Sequence, residues 1–223
     1  MDFQIEKRLV QEFYKSIEMS NPQNIPSVLK KYCSQKLIWR GFHPFNMIRG
    51  PEEVGKKFWY PLLKSLKKCQ RREDIFFAGF NEIKGHEGVW VVSMGHLMGL
   101  LDESWLGIPA SKRLTMLRYC EFNKIEEGKI IETAMFFDIP HLMSQTGIKP
   151  FVYQTAAHLV QPGPKTHDGL LFNNQDHEEG KRTLNIIESM VNDVNDWQNF
   201  DQKSLKKELK QSWNDDMIWW GPE

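Results

Sequence analysis

The sequence predicts an α+β domain in which helices cover one face of a curved antiparallel sheet. Three observations predict it. Near the start, Ile5, Leu9, Phe13 and Ile17 recur every four residues, with Val10 and Tyr14 beside them, which is helical spacing. From residue 74 to residue 137 the period becomes strand-like, in four long runs separated by turn residues. Residues 118–147 then read as a strand, a tight turn, a second strand and a short helix.

In chain order, Asp2 can cap the first helix, and Asn21-Pro22 ends it. A short helix follows over residues 26–33, then a short strand over 36–39 closed by Arg40-Gly41. Residues 42–49 are an irregular aromatic loop. Gly50-Pro51-Glu52-Glu53 starts a helix, with Pro and acids in its first turn. Pro61 should kink or split that helix, whose apolar face continues to Cys69. Strands are expected over residues 74–80, 88–100, 113–124 and 129–137. Gly128 supplies the positive φ of the last turn, between Glu127 and Lys129. The final strand stops at Asp138, where Asp138-Ile139-Pro140 has the form of an N-cap followed by Pro in the first turn.

Composition narrows the function classes. The 223 residues carry no formal net charge and are 40% hydrophobic, which gives no electrostatic footprint for nucleic acid or an anionic membrane. No apolar run of about 18 residues exists to span a bilayer. The charged, amphipathic N-terminus does not read as a secretory signal, and Cys33, Cys69 and Cys120 suit reduced thiols. A cytoplasmic location is expected. The histidines show no metal-ligand spacing, so no metal is expected. Eight Trp and fourteen Phe call for a thick core or a pocket lined with flat apolar surface.

The opening also repeats. Leu29-Lys30, Leu37-Ile38-Trp39 and Gly41 reappear 180 residues later as Leu209-Lys210, Met217-Ile218-Trp219 and Gly221. The expected organisation is a complete domain over residues 1–147, an irregular Pro/Gly connector over 148–180 laid on it, and a helix–helix–strand start of a second copy over 181–223. The strand at 216–220 presents Ile218, Trp219 and Trp220 with no sheet to cover them. It is expected to pair with the first domain or with a second copy of the chain, as a homodimer.

The segments GHLMG, WLGIPASKR, EFNKIEEGKIIE and DIPHLMSQTG resemble the SnoaL-like polyketide cyclases, or ester cyclases, of the nuclear transport factor 2-like superfamily. The resemblance covers roughly residues 5–147, and the repeat makes it a tandem member with the second domain cut short. It implies a cystatin-like, cone-shaped α+β fold and an intramolecular aldol or related isomerisation of a hydrophobic, polyketide-like carbonyl compound. One carboxylate near the end of the last strand works as general acid and base, with no cofactor. Asp138 is the position that fits that carboxylate. The sequence departs from the pattern twice. Thr133 follows Glu132 where a His is common, and Leu97 stands where the family often has a His, with His96 one residue away.

Asp138 therefore has two readings, helix cap or catalytic acid. Pairing across the Gly128 turn sets Glu121 opposite Phe136 and Tyr119 opposite Asp138, so that Glu121, Tyr119 and Asp138 share a face. Two neighbouring carboxylates would lift one pKa toward that of a general base, which makes Glu121 the second catalytic candidate. Trp39, Trp59, Phe76, Trp90, Tyr119 and Phe136 are the candidate ligand-lining residues. Trp105 is either a lid or a loop anchor. The alternatives to an enzyme are a non-catalytic protein that binds a hydrophobic ligand in the same cone, and a scaffold whose cone is filled by its own side chains.

Overall fold

The computed structural model describes residues 2–151, 159–195, 201–215 and 217. Helix α1 (Gln4–Met19) and helix α2 (Ile25–Tyr32) lead into strand β1 (Cys33–Arg40) and the short strand β2 (Met47–Arg49). Helix α3 (Pro51–Val54) and helix α4 (Tyr60–Ser65) are joined by a π-helical turn, Gly55–Trp59. Pro61 sits in the first turn of α4, and its missing N–H interrupts the α-helical ladder there. Four long strands follow: β3 (Leu66–Asn81), β4 (Gly88–Leu101), β5 (Leu114–Glu126) and β6 (Lys129–Phe137). Helix α5 (Ile139–Gln145) closes this part.

The six strands form one sheet in the order β2-β1-β6-β5-β4-β3. The meander β3 to β6 is antiparallel, whereas β1 runs parallel to β6, so the sheet is mixed. Inward positions alternate with outward ones along each strand. Leu117, Tyr119, Glu121 and Asn123 of β5 are buried on the inner face, together with Val91, Ser93 and Leu97 of β4. Val10, Phe13, Tyr14 and Ile17 of α1 pack into the same core, while Ile5 is exposed.

The register of β5 on β6 is one residue away from the expected one. Glu127 and Gly128 both take positive φ (49° and 69°), a two-residue turn that pairs Glu126 with Lys129. A bulge at Ile131 then sets Tyr119 opposite Phe137 and Glu121 opposite Met135. A one-residue slip exchanges the faces. Phe137 therefore points inward, and Phe136 points outward beside Phe42 and Phe122, with 44% of its surface exposed.

The chain divides into two compact units, residues 2–172 and residues from 173 onward. In the first, residues 159–172 strap the edge of β3. The Phe76 N–H donates to Gly169 O (2.8 Å), and the Leu171 N–H donates to Phe76 O (2.7 Å). Lys7 Nζ donates to Leu171 O (2.5 Å), and the Phe172 ring packs on Phe76. A side chain at Gly169 would come within 2.5 Å of Asp74 O, so the close approach requires glycine.

The second unit holds helix α6 (His177–Asn195) and helix α7 (Gln202–Ser212). Asp201 caps α7 by accepting from the Lys203 and Ser204 amides. Trp213 Nε1 donates to Met190 Sδ (2.9 Å). Leu184, Ile187, Val191 and Val194 of α6 are exposed. The strand expected at 216–220 lies outside the described residues apart from Met217. Among the described residues, no helix is long and apolar enough to cross a membrane.

Candidate active site

Asp138 follows the inward-pointing Phe137, just past the last pair of β5 with β6. Its N–H extends the ladder to Arg118 O (3.0 Å). Its Oδ1 accepts the His141 N–H (2.8 Å), which is N-cap geometry for α5. The rest of that helix is anchored in the same style. Leu142 is buried, and Gln145 grips the backbone of Met116 at both ends: Nε2 donates to Met116 O (2.7 Å), and Oε1 accepts the Met116 N–H (2.9 Å). Asp138, Leu142 and Gln145 of the DIPHLMSQTG segment thus dock α5 against β5.

Glu121 and Tyr119 do share the inner face, and among the described residues the hydrogen bond of the Asp138 side chain goes to the His141 amide and to neither of them. Their companions come from β3, where Arg71 and Glu73 also point inward. The Arg71 guanidinium lies between the Tyr14 ring (3.6 Å to its centroid) and the Tyr119 ring (4.3 Å). Its Nη1 lies 2.8 Å from Glu121 Oε2, with Glu121 only 1% exposed. The two atoms make charge contact without an aligned hydrogen bond, and neither has another partner among the described residues. The Arg71 backbone N–H is held by the Glu18 carboxylate of α1.

Two hydrogen-bonded rows branch from this pair. In one, Ser93 Oγ donates to Glu73 Oε1 (2.8 Å) and lies 2.7 Å from Tyr119 Oη. With the serine proton committed to Glu73, the tyrosine hydroxyl donates to Ser93. In the other, Thr133 Oγ1 donates to Asn123 Oδ1 (2.7 Å), and Asn123 Nδ2 donates to Tyr14 Oη (2.9 Å).

Burial shapes the proton affinities. It lifts the Glu73 carboxyl above its ordinary value, with the Ser93 hydrogen bond and Arg71 opposing. It pushes the Tyr119 hydroxyl to about 12. Burial works against the charge of Arg71, but Tyr119, Glu121 and Tyr14 outweigh it and hold the guanidinium charged. The thiols are raised by burial too, Cys33 and Cys69 to about 12 and Cys120 to about 11, so all three stay protonated.

The apolar end of the cone is filled by rings. Trp39 packs on Phe45 and Phe58, and Phe58 packs on Trp59 and Phe137. Trp105 stacks on Phe45 and is 3% exposed, tied by backbone hydrogen bonds to Ile108. Of the candidate lining residues, Trp39, Trp59, Phe76 and Tyr119 are buried inside. Trp90, like Phe136, stands on the outer face, where its Nε1 donates to His86 O (2.9 Å). Parity on β4 decides this, since the neighbouring Val91 is the inward one. His96 is on the outer face too, under the strap. Its Nε2 accepts the Gln161 N–H (3.2 Å), and its Nδ1 lies 3.6 Å from Asp74. Among the described residues, no three His, Cys, Asp or Glu side chains group as metal ligands.

The sequence reading missed Arg71, Glu73, Ser93, Asn123 and Thr133. The available signal was Arg71 and Glu73 standing two apart, on one face of a strand begun at Leu66.

No protein-family model matches the sequence, and no curated protein matches it. Solved structures do. TsrD from Streptomyces laurentii aligns with a TM-score of 0.50 at 19% identity, over 66% of this chain and 98% of its own. A candidate polyketide cyclase from Xanthomonas campestris pv. campestris gives 0.50 at 14% identity, over 64% and 97%. The chain has the nuclear transport factor 2-like fold, an α+β cone. A candidate SnoaL-like polyketide cyclase from Jannaschia sp. CCS1 gives 0.49 at 16% identity, over 67% and 94%. At these identities the likeness establishes the fold and assigns no activity.

Proposed function

We propose that the protein acts on a small, flat, hydrophobic carbonyl compound by carboxylate acid/base chemistry that itself needs no cofactor. In this reading Glu73 carries the proton and Asp138 serves as the cap of α5. The observation that carries it is the Glu73–Ser93–Tyr119 row beside the Arg71–Glu121 pair, on the inner face of the cone.

The roles follow from the chemistry. Taking a proton next to a carbonyl needs a base of raised pKa and a donor for the oxygen that becomes negative. Glu73 has the raised pKa. Tyr119 is the donor, turning its hydroxyl from Ser93 to the substrate oxygen, with Arg71 supplying positive charge behind its ring. Glu121, paired with Arg71, holds that guanidinium in place. Incubating a panel of flat aromatic ketones with the protein and following products by mass spectrometry tests the reading. Turnover that falls about a hundredfold or more in Glu73→Gln supports it. Turnover unchanged by that substitution removes Glu73 from the role.

A second reading has its own support. Thr133 and Leu97 occupy inward positions where the resembling family commonly carries histidines, and Asp138 Oδ1 is engaged by the His141 amide. A non-catalytic binder of the same ligands would show affinity that survives Glu73→Gln and release every ligand unconverted. One converted ligand rejects it.

A further inference from the structure

A second place on this unit has the chemistry of a binding site. Between α1 and α2 runs an open groove of about 530 Å³, outside the cone. Its floor is Met19, Val28 and the Tyr32 ring, and its polar atoms include the hydroxyls of Ser16 and Ser20. Ser16 Oγ and Tyr32 Oη lie 2.9 Å apart, so this wall is fixed by its own hydrogen bond.

Two cations line it, Lys15 and Lys31, against one carboxylate, Glu12. Six lysines elsewhere on this unit are ion-paired. Lys30 and Lys56 pair with Glu52, Lys57 with Glu53, Lys64 and Lys67 with Glu103, and Lys112 with Asp102. Among the described residues, neither Lys15 nor Lys31 has an ion-pair partner. Lys31 instead holds its ammonium over the Tyr32 ring, 4.8 Å from the centroid. Met19, 78% exposed, offers an uncovered apolar surface beside these charges.

We propose that this groove binds a small amphipathic anion, with a compact carboxylate-type head between Lys15 and Lys31 and an aliphatic tail along Met19, Val28 and the face of Tyr32. The charge balance argues for an anion. An ammonium is a point charge that suits a compact head, and the apolar floor favours a tail.

Isothermal titration of the full chain with decanoate tests it, beside decanol (the same tail without charge) and inorganic phosphate (charge without tail). Decanoate is expected to bind at least about tenfold more tightly than either. Lys15→Gln/Lys31→Gln should weaken decanoate about tenfold or more, while Lys36→Gln, outside the groove, leaves it unchanged. Glu73→Gln should also leave it unchanged, which separates this groove from the cone. Decanol or phosphate matching decanoate, decanoate binding indifferent to the double substitution, or no heat up to millimolar decanoate would each overturn the proposal.

Discussion

At the scale of single residues, a carboxylate is defined by what already holds it. Asp138 accepts an amide proton from the helix it starts, and asparagine can accept the same bond. Asp138→Asn is therefore expected to change stability by only a few tenths of a kcal/mol, and Asp138→Ala to lose about 1 kcal/mol in urea unfolding. Arg71 is in a different situation. Removing it leaves Glu121, 1% exposed, without its ion-pair partner. Arg71→Met should destabilise by about 3–5 kcal/mol in the same experiment. Glu73 stands between the two. Its folded pKa is raised by burial, so its ionised form is disfavoured by folding, and this stability is lost as pH rises through that pKa. Glu73→Gln is expected to fold as well as the parent at neutral pH or better, by up to about 1 kcal/mol. A large loss would mean that the carboxylate is structural.

Among the elements, the strap over β3 ties a titratable group to the fold. His96 accepts the Gln161 N–H through Nε2, which requires that nitrogen to be unprotonated. Burial pushes its pKa down to about 4, helped by the positive fields of His141, Arg118 and Arg72, while Asp74 faces its Nδ1. The unfolded chain takes up the proton near pH 6.5, so the stability from a neutral His96 is full above that pH and is lost as pH falls toward about 4. Thermal unfolding followed from pH 7 to pH 4 should show this decline, and it should be shallower in His96→Gln.

The elements also show what could be read from the sequence. The helix period of α1, the Glu127–Gly128 turn and the Asp138 cap are local signals, and the chain keeps each of them. The register beyond the turn was not legible, because the bulge at Ile131 has no marker in an apolar run. Arg71 and Glu73 were hidden differently. They lie in KKCQRRED, where charged residues read as solvated and break the strand alternation. Only tertiary pairing with Glu121, Tyr14 and Ser93 makes those positions inward ones.

Taken whole, the first unit contains its own core: every buried hydrophobic residue of the cluster lies between Val10 and Leu142. A chain ending at residue 172 is expected to unfold cooperatively, with a single calorimetric transition. A broad, non-cooperative transition would show that the helices after residue 173 complete the fold. The same unit presents two regions of distinct chemistry, a cone with paired charges inside and a groove with unmatched lysines outside.

The placement of the proton carrier in the cone is the claim on which the functional account turns. Deuterium wash-in next to the carbonyl of α-tetralone, a flat hydrophobic ketone, measures it directly by mass spectrometry in D2O. The account predicts that the parent protein and Asp138→Asn exchange at rates within about twofold, and that Glu73→Gln slows exchange by about 10²–10⁴-fold. Exchange lost in Asp138→Asn and kept in Glu73→Gln would contradict it.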